Sequence, residues 1–129
     1  MVRPGQRGDE HRFLSGFNGN MRSLHEPTIA QTYRTARPYI HPSFEGEAIL
    51  SVGKAIDYIN RGVSGIVNVM PLSCMPGTIA TALLKRVREE HGNIPLLNIA
   101  YEGQQDSQTI TCLEAFLHQA RTYQQGRKP

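Results

Sequence analysis

Cysteine is scarce in this chain: Cys74 and Cys112 are the only two in 129 residues. They show no Cys-x-x-Cys spacing and so make no zinc signature. In a reducing compartment they are not expected to pair as a disulfide. Long apolar runs are missing as well, and none approaches the roughly 18 residues of a membrane span. The opening stretch Met1–Gly8 has no apolar core of the secretory kind. A cytoplasmic chain with no membrane contact is therefore expected. There is no Gly-rich phosphate loop of Walker type and no Asp-x-Gly-x-Thr, so the chain alone should not hydrolyse ATP. The histidines at 11, 25, 41, 91 and 118 form no ligand pair at helical spacing. No Ser-His-Asp set or catalytic carboxylate pair can be placed, and no catalytic residue is assigned.

The charge balance is mildly basic, with 14 Lys+Arg against 11 Asp+Glu and a net charge of +3. Part of the excess sits in residues 1–26, where Arg3, Arg7, Arg12 and Arg22 face only Asp9, Glu10 and Glu26. No aromatic residues interleave with these arginines as a stacking platform, and no zinc finger or RNP motif appears. A solvated, flexible basic segment is expected there rather than a nucleic-acid arm.

From Pro27 the pattern changes, and residues 27–124 read as one α/β domain ahead of a frayed end at 125–129. Thr28 to Ala36 suits a short helix stopped by Pro38. A second helix carries Ala48, Ile49, Val52, Ile56 and Ile59 at three- and four-residue steps. Ser43 is its expected N-cap, with Glu45 and Glu47 in the first turn and Gly62 past its end. Gly53 within the stripe points to close helix–sheet packing. Gly65–Met70 reads as a buried parallel strand.

Thr78 is placed as the cap of a third helix with Ile79, Leu83, Leu84 and Val87 inward. Ile94–Ala100 is the second strand. A last helix follows, with Ile110, Leu113, Phe116, Leu117 and Ala120 inward. The fold class is thus α/β: a small Rossmann-like β-α-β-α unit with parallel strands and a right-handed crossover, preceded by one or two helices. Two parallel strands are a poor free-standing sheet. A further strand, a second copy or the rest of a larger protein is needed to complete it.

The most informative stretch is 65–78, a β-branched run that ends in a Pro/Gly-bounded loop before a helix. It holds Cys74 just past the carboxyl end of a strand, where open α/β sheets bind ligands. Backbone N–H groups there favour a thiolate or another anion. Cys74 is the candidate functional residue, with Ser73, Met75, Gly77 and Thr78 around it. In the other strand–helix loop, Asp106 is read as a helix cap and Glu102 as solvent-exposed. Asn68 and Asn98 hold corresponding places in the two strands, bonding nearby loops or lining the crevice. Cys112 is read as structural.

Residues 45–120 resemble the C-terminal region of the acyl-CoA dehydratase activase-related proteins, of the 2-hydroxyacyl-CoA dehydratase/activator group. The segments that carry the likeness are Glu45-Gly-Glu-Ala-Ile-Leu50 with Val52-Gly-Lys54, Gly65-Ile-Val-Asn-Val-Met-Pro71, and Cys74-Met-Pro-Gly77. Ile94-Pro95, Leu97, Asp106 and Leu113-Glu-Ala-Phe116 add to it.

Dehydratase subunits of the group are similar at greater distance. There a loop cysteine after Gly is one of several thiolates on a [4Fe–4S] cluster, and by position Cys74 is similar to it. Ser73 stands where that glycine is expected, and the likeness gives Cys112 no ligand role. A cubane needs several thiolates. The resemblance therefore implies a non-catalytic domain in which Cys74 is the metal ligand, contributing to iron–sulfur binding and electron transfer. The other ligands would come from other sequence or subunits. The implied partners are other domains of a larger parent protein or dehydratase subunits. Two alternatives stay open: an interaction module that docks other domains or forms a homo-oligomer, and a small-molecule domain for a phosphate-bearing ligand such as coenzyme A.

Overall fold

Helix α1 (Ile29–Ala36) begins because Thr28 satisfies the first free amides. Its Oγ1 accepts from the Gln31 N–H at 3.2 Å, and the Gln31 Oε1 accepts from the Thr28 N–H at 2.9 Å, a reciprocal capping box. The helix stops at Arg37, ahead of Pro38. The computed structural model describes residues 26–44, 46–103 and 107–127. The expectations for 1–25, Glu45 and Asp106 lie outside them.

Helix α2 (Glu47–Asn60) buries the expected stripe of Ala48, Ile49, Val52, Ile56 and Ile59, with Ala55 added. Its start differs from the sequence reading. The N-cap is Gly46 at φ +116, which offers no side-chain cap. Ser43 instead turns back on His41, with its Oγ 2.7 Å and its backbone N 3.1 Å from Nδ1. Gly62, at φ +85, follows the C-cap Arg61 as expected. The reason for Gly53 also differs: it meets α1, not the sheet. A Cβ at Gly53 would collide with the Thr32 carbonyl oxygen and lie 2.7 Å from Thr32 Cγ2.

Strand β1 (Ile66–Pro71) and strand β2 (Leu96–Tyr101) pair in parallel, with Ile66 opposite Leu96 and Pro71 opposite Tyr101. Helix α3 (Met75–Glu90) joins them, and helix α4 (Ser107–Gly126) follows β2 and runs through Gln124 and Gln125. The chain is thus mixed helix and strand, with four helices and a two-stranded parallel sheet among the described residues. No helix among them is long and apolar enough to cross a membrane.

The core lies mainly in the helical layer. Ala36, Ile49, Val52, Ile56, Leu84, Val87 and Ile94 form one buried cluster, with Ile66 and Leu96 packed against it. Strand β1 is consequently not buried on both faces, as the sequence suggested. Its even positions meet α3, whereas Val67 is 40% and Val69 63% exposed. The register puts Tyr101, also exposed, on that same open face.

Bonds at each end of the ladder, Ile66 N–H to Pro95 O (2.9 Å) and Leu72 N–H to Tyr101 O (3.1 Å), set its phase. The backbone groups of Val67, Val69 and Pro71 therefore face away from β2. Pro71 has no N–H to lose there, which suits an edge strand.

Helix α4 lies against β2, and Phe116 is its buried residue among those described. A Cβ at Gly65 would stand 2.6 Å from Phe116 Cζ. Leu113 and Ala120 are half-buried, but Ile110 and Leu117 are 47% and 52% exposed, contrary to their expected inward placement. Among the described residues the sheet has two strands, a narrow base for a 20-residue helix.

Candidate functional site

The turn from Pro71 to Thr78 closes β1 and opens α3. The Cys74 N–H bonds back to Pro71 O at 3.3 Å, and Ser73 between them adopts φ +60. That left-handed conformation strains any residue with a Cβ and suits glycine. Cys74 is the N-cap of α3, and Thr78 is not. The helix starts at Met75, and the Thr78 N–H and Oγ1 both donate to Cys74 O at 3.0 Å. Pro76 fits in this first turn, where an amide has no helical partner.

The Cys74 side chain makes no cap hydrogen bond and is half-buried. The Cys74 thiol is thus free of the helix cap, and the residue, partly exposed, stands at the carboxyl end of β1. Gly77 allows the first turn of α3 to sit on the strand: a Cβ there would be 2.8 Å from both Cβ and Sδ of Met70. Met70 is half-buried against this turn, and Thr81 Oγ1 lies 3.5 Å from its Sδ. Met75 is 73% and Leu72 52% exposed, so the rim of the turn is apolar and open.

The structure thus brings Ser73, Cys74, Met75, Gly77 and Thr78 into one turn. Glu102, beyond β2, is exposed, and Cys112 lies exposed on α4. Among the described residues no three of His, Cys, Asp or Glu converge as a metal-binding group. Among the described residues the turn offers one thiol, that of Cys74, which does not fit a whole cubane. The Thr78 amide is already engaged by Cys74 O, so it is not available to a phosphate-bearing ligand at the start of α3.

The paired asparagines bond each other rather than loops. The Asn68 Nδ2 donates to Asn98 Oδ1 at 3.0 Å and to Thr81 Oγ1 at 3.2 Å, tying both strands to α3. A shallow cavity of about 230 Å³ lies between Ser51, Lys54, Ala55 and Tyr58 of α2 and the edge of β1, and none of its lining residues belongs to the Cys74 turn.

A polar cluster also forms around Tyr39, in the connector between α1 and α2. The Tyr39 hydroxyl donates to Glu90 Oε2 at 2.5 Å, Glu90 Oε1 accepts from the Arg86 Nε at 2.9 Å, and the Arg86 guanidinium lies 5.6 Å from the Tyr39 ring centroid. Partial burial, then the bond to Glu90 and its charge, push the Tyr39 phenol up to about 12. A phenol held neutral is a poor base, so this cluster fastens the connector before α2 to α3. The Arg86–Glu90 step of four residues was visible in the sequence; the distant tyrosine was not.

No family model, curated protein or solved structure matches this sequence.

Proposed function

We propose that this chain is a non-catalytic, Rossmann-like α/β domain of the acyl-CoA dehydratase activase-related kind. It supplies one thiolate, Cys74, to an iron–sulfur cluster completed by other sequence or another subunit. The observation that carries the reading is the half-buried Cys74 side chain, free of the helix cap, at the N-cap of α3 and the carboxyl end of β1. Among the described residues β1 pairs on one side only, and this open edge supports it, since a domain holding one ligand needs a neighbour to bring the rest. The cluster supplies low-potential electron transfer when bound; the turn supplies a thiol, an apolar rim and backbone dipoles around it.

The test is anaerobic reconstitution with ferrous iron, sulfide and a small thiol that can fill the remaining positions. Wild type and Cys112→Ser should retain iron and a broad visible absorption after desalting. Cys74→Ser should retain neither. Equal retention by Cys74→Ser, or none by any form, overturns the reading.

A second reading, an interaction module, is favoured by the uncovered face bearing Val67, Val69 and Tyr101. Sedimentation of wild type and Val69→Lys over a range of concentrations tests it for self-association. An assembly that Val69→Lys dissolves would support this reading, and a monomer throughout would count against a second copy as the partner.

A further inference from the structure

We draw no further inference here: the strongest candidate, the uncovered sheet face that carries Val67, Val69 and Tyr101 beside the free edge of β1, belongs to the surface already described, and nothing in the structure shows what covers it.

Discussion

Gly53 of α2 rests directly on Thr32 of α1, a residue only 1% exposed. The contact is between a backbone carbonyl and the space a Cβ would need, so a rotamer change cannot relieve it. Alanine in a helix gains about 1 kcal/mol over glycine by propensity. Overpacking costs about 1–3 kcal/mol, and here the obstacle is main chain. Gly53→Ala is therefore expected to lower stability by about 1–2 kcal/mol, read from urea unfolding midpoints. A more stable variant would show that α1 does not pack as described.

Ser73 gives the opposite sign. Its φ of +60 strains a residue with a Cβ by about 1–2 kcal/mol. Ser73→Gly relieves this while loosening the unfolded chain. A net gain of about 0.5–1 kcal/mol is expected, measured in the same unfolding experiment, with the Cys74 turn intact.

These two positions also show where the sequence was legible. The apolar stripe of α2 and the β1–α3–β2 order follow from periodicity and turn residues, which act locally. What covers each face does not. The stripe at Ala48–Ile59 says that something packs there, but the identity of the neighbour at Gly53, α1 rather than the sheet, depends on contacts between distant residues.

The misplacement of Ile110 and Leu117 has the same origin, because an apolar flank implies a covering layer, and the two strands among the described residues do not supply it. For the site, the turn itself was readable from Pro71, Pro76 and Gly77. The cap was not: a cysteine is a weak capping type, and Thr78 outranks it by preference, yet backbone geometry starts the helix at Met75.

Tyr39 and Glu90 make stability depend on pH at both ends. Tyr39 is raised from 10.0 to about 12, so its contribution is complete below pH 10 and is lost as pH rises through about 12. Glu90 is lowered from the usual carboxylate value by its bonds to Tyr39 and then Arg86. Its share is present above that usual value and is lost as pH falls through the depressed one. In Glu90→Gln the charge that disfavours the phenolate is gone, and Tyr39 should titrate closer to 10. Phenolate absorbance during alkaline titration checks this, with Tyr39→Phe assigning the late step. An unchanged late step in Glu90→Gln would show that burial alone raises the group.

Cys74→Ser separates the chemistry of the turn from its architecture. The thiol makes no cap bond, and Ser is a preferred N-cap residue whose hydroxyl can accept from an amide of the first turn. The variant should be as stable as wild type or more so, by up to about 1 kcal/mol. Both thiols of the native protein should react with an aromatic disulfide reagent, Cys112 being exposed and Cys74 half-buried. Cys74→Ser should leave one reactive thiol and an unchanged circular dichroism spectrum. On that footing a loss of iron and sulfide in the variant would report a missing ligand rather than a damaged fold. If the substitution instead destabilised the protein by more than about 1–2 kcal/mol, the sulfur would be a packing element of the kind buried free cysteines often are. The proposal that it is held ready for a cluster would then lose its structural ground.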